Sequence, residues 1–311
     1  MQRWTASDIP DRGGSTAVVT GANGGLGLVT ARELARHGAR VVLACRDEQR
    51  GKEAETRIRA EVPDAELHLA RLDLADLSSV REFARAHRSY TGGRLDLLVN
   101  NAGVMALPHR RTVDGFEMQF GVNHLGHFAL TGLLLPDLLA APAARVVTVS
   151  SFLHALANVD LHDLGSDSRY RRWIAYARSK SANLLFTHEL SRRLYRAGRD
   201  VLAAAAHPGY AATNLQTAGP RMEGRRSAER VMELGNRLLA QPAEAGALPV
   251  LFAATAPGAR PDGFYGPGPL GLRGAPRKSW RAPWTRDDTA GELLWAASER
   301  LTGVGYGTSG I

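Results

Sequence analysis

The sequence predicts an α/β protein built on a doubly wound parallel sheet. Two patterns carry that prediction. Short apolar runs rich in β-branched residues alternate with longer amphipathic segments from residue 16 to residue 209. The first of those runs ends in a glycine-rich turn that opens the first helix, an arrangement typical of a parallel sheet with crossover helices on both faces.

The elements follow in order. "TAVVT" (16–20) reads as a strand, and "LGLVTARELARHG" (26–38) as a helix with Leu26, Val29, Leu34 and His37 at helical spacing and Gly38 as the stop. "ARVVLAC" (39–45) is a second strand. "DEQRGKEAETRIRAEV" is a second helix, closed by Pro63. "AELHLARLD" is a third strand, "LSSVREFARAH" a third helix, and "LDLLVNNAG" a fourth strand running into a turn. "RVVTVSS" (145–151) and "VLAAAAHPG" (201–209) are the fifth and sixth strands. A polar stretch at 213–241 reads as a small lid inserted after the sixth strand. Residues 256–288, rich in Gly, Pro, Arg and Trp, read as loops laid over the body, so that 256–311 forms a C-terminal loop extension of a single domain spanning 1–311.

The turn "VVTGANGGLG" places Gly21, Gly25 and Gly27 with the residues between them, notably Asn23 and Leu26, where a pyrophosphate meets a helix N-terminus. A tight strand-to-helix turn without a ligand is the plainer alternative. Its position directly after the first strand favours a dinucleotide. The end of the second strand then chooses the nucleotide. A carboxylate there accepts from the adenosine ribose, whereas this chain has Cys45 followed by Arg46, which suits a 2′-phosphate. NADP(H) is therefore expected over NAD(H). Asp47 reads either as a carboxylate near the ribose or as the cap of the next helix. Asp73, with Leu74 after it, reads as an adenine contact or a strand-to-helix cap.

Among 39 Lys plus Arg, lysine occurs only at positions 52, 180 and 278. Lys180 follows Tyr176 by four residues, one helical turn on the same face. A phenol is a poor acid or base near neutrality, and a neighbouring cation is expected to lower its pKa. A compact ammonium also reaches both hydroxyls of a ribose, which a planar guanidinium does less well. Ser151, at the carboxyl end of the fifth strand, is placed to donate to a substrate carbonyl, and Asn123 to hold a water in a proton path. His124 and His127 are spaced as a metal pair, but no carboxylate or cysteine stands at ligand spacing, so no metal is expected.

The motifs "TGANGGLG" (20–27), "NNAG" (100–103), "NHLGHF" (123–128), "VTVSS" (147–151), "YARSK" (176–180) and "HPG" (207–209) occur in the order of the short-chain dehydrogenase/reductase family, which the chain resembles over roughly residues 15–270. The resemblance implies a Rossmann-type sheet and a catalytic tetrad of Asn123, Ser151, Tyr176 and Lys180. It further implies that Asn101, Ala102 and Gly103 line the adenosine side of the cofactor, and that Pro208, Gly209 and Thr213 lie beside the nicotinamide. "ACRD" (44–47), "NNAGVM" (100–105), "GVNHLGHF" (121–128) and "HPGYAATNL" (207–215) resemble the retinol-dehydrogenase-like branch. Membrane-attached members of that branch carry an apolar N-terminal segment, which "MQRWTASDIPDRGGS" does not provide, so a cytoplasmic enzyme without membrane attachment is expected. Homodimers through the helices bearing Asn123 and Tyr176 are usual for the family.

Composition narrows the rest. Hydrophobic content of 44% and charged content of 23% suit a globular protein, and no apolar run is long enough to span a bilayer. The single Cys45 excludes an internal disulfide. The net charge of +8 comes from scattered arginines without an aromatic RNA-binding motif or zinc finger, which argues against nucleic acid. The expected activity is NADP(H)-dependent interconversion of an alcohol and a carbonyl on a small apolar substrate. The rival is a non-catalytic NADP-sensing regulator on the same fold, against which the full set of tetrad residues counts.

Overall fold

The computed structural model describes residues 3–166, 168–209, 242–268, 271, 273–307 and 311. An eight-stranded sheet runs through the molecule in the order β3-β2-β1-β4-β5-β6-β7-β8. Its strands are β1 (Thr16–Thr20), β2 (Arg40–Cys45), β3 (Leu67–Arg71), β4 (Leu97–Asn100), β5 (Ala144–Val149), β6 (Val201–Ala206), β7 (Phe264–Pro267) and β8 (Pro276–Lys278). All neighbours pair in parallel except β7 with β8. Parallel pairing requires crossovers, and the helices α1 (Gly25–Arg36), α2 (Glu48–Glu61), α3 (Leu77–Thr91), α4 (Met118–Phe120), α5 (Gly126–Leu139), α6 (Arg172–Arg196), α7 (Ala243–Thr255) and α8 (Asp288–Thr302) supply the flanking layers.

The strands are apolar on both faces because helices cover both. In β1, Ala17 and Val19 pack with Val29, Leu34, Val250 and Leu251 of α1 and α7, while Val18 between them packs with Val80, Phe83, Leu130 and Leu134 of α3 and α5. That two-residue alternation splits one strand between two cores. The strand order reverses between β1 and β4, so their carboxyl ends open a crevice. In open α/β sheets ligands bind in such a crevice.

Two expectations for the C-terminal third need correction. Residues 256–288 are not only loops, since β7 and β8 extend the sheet beyond β6. The C-terminal extension is not loop throughout, because Asp288–Thr302 is a helix capped by Asp287, whose side chain accepts from the Ala290 N–H, and ended by Gly303 at φ 62°. Helix α8 lies on α5 and α6. Trp295 stacks on Phe186 and meets Phe128 edge-on at 5.1 Å, and Arg193 lies 4.5 Å from its ring centre. The Tyr306 hydroxyl donates to the Phe128 carbonyl at 2.7 Å. A methyl on Gly132 would come within 2.7 Å of the Tyr306 ring, so glycine there is what lets the aromatic seat. The chain thus packs its own C-terminal helix on the helix pair expected to make a dimer. No described helix is long and apolar enough to cross a membrane.

Candidate active site

The turn after β1 is shaped by its glycines. Gly21 has φ 65° and Gly25 φ 52°, left-handed values that favour glycine. Gly24 caps α1 without any side-chain hydrogen bond, which leaves the first-turn N–H groups of that helix facing the crevice. A methyl on Gly27 would lie 2.3 Å from the Gly21 carbonyl oxygen, so only glycine lets the helix rest on the turn. Asn23 lies on the turn itself, where its backbone N–H bonds the Cys45 sulfur, and burial pushes that thiol up to about 11. Leu26 and Leu74 both bury their side chains in the cores, so they offer the crevice only backbone.

Beside the turn, β4 is tied to β1. The Asn101 and Ala102 N–H groups both donate to the Thr20 hydroxyl at 2.9 Å, and the Asn101 amide donates to the Thr20 carbonyl at 2.7 Å. Arg46 is exposed at the end of β2. Asp47 serves as the cap of α2, accepting from the Arg50 N–H at 3.0 Å. The Asp73 carboxylate accepts from the Ala75 N–H at 3.0 Å in a local turn, and the cap of α3 is instead Asp76, whose side chain accepts from the Ser78 and Ser79 N–H groups. Arg50 was not singled out from the sequence. Its guanidinium comes 3.9 Å from the Cβ position of Gly24, placing a second cation over the glycine turn. Arg46 precedes the extended Asp47 cap, so helical spacing does not connect the two arginines in the sequence.

The expected tetrad residues come together at the carboxyl ends of β4 and β5. Tyr176 and Lys180 both turn inward from α6, at 5% and 4% exposure. The Ser151 hydroxyl accepts from the Leu153 N–H at 3.2 Å and stands close enough to the Tyr176 phenol to lower its pKa. Ser150 points elsewhere and donates to the Lys180 carbonyl at 2.8 Å, which separates the two adjacent serines. The Lys180 ammonium lies 5.8 Å from the centre of the Tyr176 ring and donates to the Val149 carbonyl at 3.0 Å. Asn123 sits in a π-helical turn (Gly121–Leu125) between α4 and α5. Its amide donates to the Val104 carbonyl and to the Ser179 hydroxyl, both at 2.9 Å, and its oxygen accepts from the Val104 N–H at 2.8 Å. A Cβ on Gly103 would meet the Asn123 oxygen at 3.1 Å and the Lys180 nitrogen at 3.6 Å, so Gly103 borders the same space.

Electrostatics here differ from the expectation that Lys180 lowers the Tyr176 pKa. Burial dominates, pushing the phenol up to about 12, with the Ser151 hydroxyl opposing it. Burial also brings the Lys180 ammonium down to about 8. Desolvation disfavours both charged forms and outweighs the attraction of a cation across the ring.

The two motif histidines diverge. His124 bonds the Ser298 hydroxyl of α8 at 2.8 Å, and His127 bonds the Thr20 hydroxyl at 2.9 Å. Among the described residues no cluster of three or more His, Cys, Asp and Glu side chains could hold a metal ion. After β6, Pro208 and Gly209 leave the sheet, with Gly209 at φ 67° and its N–H donating to His207 at 3.2 Å. Thr213 and the 213–241 lid lie outside the described residues. Of the tryptophans expected near the pocket, Trp284 donates to the Ser181 hydroxyl of α6 at 3.3 Å, while Trp280 is 61% exposed.

Comparison with known proteins agrees with this geometry. The family model described as short chain dehydrogenase matches residues 15–224. Retinol dehydrogenase 12 of Homo sapiens is 41% identical over 295 residues, which cover 94% of this chain and 87% of that protein. The crystal structure of an uncharacterized protein from Mycobacterium paratuberculosis is 44% identical, with a TM-score of 0.79 over 98% of this chain and 99% of that one. The structure of an NAD(P) dependent gluconate 5-dehydrogenase from Beutenbergia cavernae, titled as having bound NADP, is 28% identical, with a TM-score of 0.59 over 79% of this chain and 91% of that one. The chain therefore belongs to the short-chain dehydrogenase/reductase family of oxidoreductases, in its retinol-dehydrogenase-like branch.

Proposed function

We propose that this chain is an NADP(H)-dependent oxidoreductase interconverting an alcohol and a carbonyl on a small, largely apolar substrate, with Asn123, Ser151, Tyr176 and Lys180 as its catalytic residues. The observation that carries the proposal is the buried corner where the Lys180 ammonium lies 5.8 Å from the centre of the Tyr176 ring and the Ser151 hydroxyl is close enough to the phenol to oppose its rise in pKa. Two hydroxyls that face one space can both meet one substrate oxygen. Ser151 orients and polarises that oxygen, and Tyr176 delivers the proton to it in reduction or removes it in oxidation. A phenol at about 12 suits delivery at neutral pH better than removal. Lys180 uses one donor on Val149 and keeps two for the ribose hydroxyls of a nicotinamide nucleotide. Asn123 holds the Val104 backbone and Ser179 in place beside Lys180. The bound nucleotide supplies or accepts the hydride, and the chain supplies orientation and electrostatics.

The glycine turn, the uncapped N-terminus of α1 and the space beside Gly103 fit such a nucleotide. Preference for NADP(H) rests on Cys45 standing where a ribose-binding carboxylate belongs and on Arg46 and Arg50 beside the turn. Gly209 and Pro208 flank the nicotinamide side, with Thr213 assigned there by the family pattern. A neutral substrate follows from the lack of a positioned arginine fork at the start of the segment "YAATNLQTAG". The test is a carbonyl screen read by loss of NADPH absorbance. A lipophilic aldehyde or ketone series should give higher kcat/KM than a keto-acid series. Preference for the keto acids would overturn the substrate class, and binding of NADPH without turnover on any carbonyl would favour the regulatory alternative.

A further inference from the structure

We propose that His127 is a positioning residue whose two ring nitrogens serve the two halves of the site separately, Nε2 holding the threonine that begins the glycine turn and Nδ1 holding the backbone of the catalytic asparagine. The inference rests on the roles proposed above for Asn101, Ala102 and Asn123.

His127 lies on α5, four residues after Asn123, and is 1% exposed. Its Nδ1 is 3.1 Å from the Asn123 carbonyl oxygen, which can only accept, so Nδ1 carries the proton. Burial, together with the neighbouring Lys180 charge, holds the ring neutral, its pKa down to about 4. In a neutral ring protonated at Nδ1, Nε2 must accept. Its partner at 2.9 Å is the Thr20 hydroxyl, which therefore donates, the competing Val99 carbonyl lying farther away at 3.4 Å. The Thr20 oxygen in turn accepts the N–H groups of Asn101 and Ala102, each at 2.9 Å.

Every link in this chain has one polarity. The backbone beside the cofactor donates to Thr20, Thr20 to His127, and His127 to Asn123. Thr20 is the last residue of β1 and sets the start of the glycine turn. Asn123 sits in a π turn, where the helical register is broken and the carbonyl directions are not those of a regular helix. His127 fixes that irregular backbone from the side facing the cofactor. His124, three residues earlier on the same segment, bonds α8 instead and has no part in the link.

Two conservative variants separate the halves of the chain. His127→Gln carries an amide oxygen out to the Nε2 position and keeps an acceptor for Thr20, but it loses the donor to Asn123. His127→Asn places an amide nitrogen near Nδ1 and keeps that donor, but it loses the acceptor. Titration of NADPH and measurement of kcat at saturating NADPH, with the same aldehyde for all proteins, should show a crossed pattern. The Gln variant should hold NADPH affinity within about twofold and lose about tenfold in kcat, and the Asn variant should lose about five- to tenfold in affinity with kcat within about twofold. Equal changes in both parameters for both variants, or no change in either, would overturn the proposal. Should neither variant fold, Thr20→Val against Thr20→Ser reads the first link. Weaker NADPH binding for Val than for Ser supports the role of the Thr20 hydroxyl in cofactor seating, and equal affinities overturn the proposal. Failure of the functional reading shows separately, as a Tyr176→Phe protein that turns over at the wild-type rate.

Discussion

Acidification should unfold this chain well before its carboxylates titrate, because several histidines are buried in the neutral form. Burial brings His87, His127 and His207 down to about 4, and His124 to about 3. In the unfolded chain each returns to roughly 6.5. Between those values the unfolded state binds protons that the folded state refuses. The stability each histidine contributes is therefore complete above about 6.5 and is lost as the pH falls towards 4. At about pH 5.5 each site costs roughly 1–2 kcal/mol, and the four together roughly 4–8 kcal/mol, a large share of the 5–15 kcal/mol that holds a typical domain. His188 works in the opposite sense. Asp262 and Asp288 raise its pKa against the effect of burial, so it adds stability below its folded value. Urea unfolding followed by tryptophan fluorescence at about pH 7.5 and about pH 5.5 measures the difference. His124→Phe sharpens the assay. Its ring lies among Phe120, Phe128 and Phe186, and its partner Ser298 also donates to the Leu294 carbonyl, so the site tolerates an apolar ring. That variant should lose roughly 1–2 kcal/mol of the pH dependence. Unchanged stability between the two pH values, or a His124→Phe protein with the full pH dependence, would refute the reasoning.

Three further predictions concern the site. Arg46→Ala should weaken NADPH binding by about 1.5–3 kcal/mol while leaving NADH almost untouched, since only a 2′-phosphate offers the guanidinium a charged partner; parallel titrations of both nucleotides decide it, and equal losses contradict it. Lys180→Met should raise the stability of the nucleotide-free chain by about 1–3 kcal/mol while abolishing turnover, because burying the ammonium is costly and Asn183 still donates to the Val149 carbonyl at 3.1 Å; a less stable variant in urea unfolding would show that the lysine is retained for folding. Lys180→Arg keeps the charge but changes the geometry and should turn over more slowly than the wild type, which tests why lysine stands here in an arginine-rich chain.

Much of the sheet was legible because its strands announce themselves locally. β1, β2, β5 and β6 are short β-branched or small apolar runs bounded by Gly, Pro or polar residues, and their boundaries fall within about three residues of those read from the pattern. β7 escaped because "FYGP" is four residues long and flanked by glycine and proline, and its pairing with β6 is decided by tertiary register. Helix α8 was hidden by the Arg- and Trp-rich stretch before it, although Asp287 and Gly303 are ordinary cap residues. At the site, the choice of Ser151 over Ser150 came from the family pattern; in the structure the Ser150 hydroxyl is engaged by the Lys180 carbonyl, which leaves Ser151 as the serine facing Tyr176. The Tyr176 pKa could not be read from spacing. Proximity to a cation is a one-dimensional inference, whereas desolvation depends on every atom packed around the ring. Arg50 and His127 were missed as contributors for the same reason, since each acts on a partner far away in sequence.

The central claim is that Tyr176 moves the proton. Tyr176→Phe removes one oxygen from a buried ring that the fold otherwise holds by packing, so the variant should fold and bind NADPH as the wild type does. With a lipophilic aldehyde that the wild-type protein reduces, kcat should fall by roughly 10²-fold or more, with NADPH affinity unchanged within about twofold. A Tyr176→Phe protein that reduces the aldehyde at the wild-type rate would contradict the account.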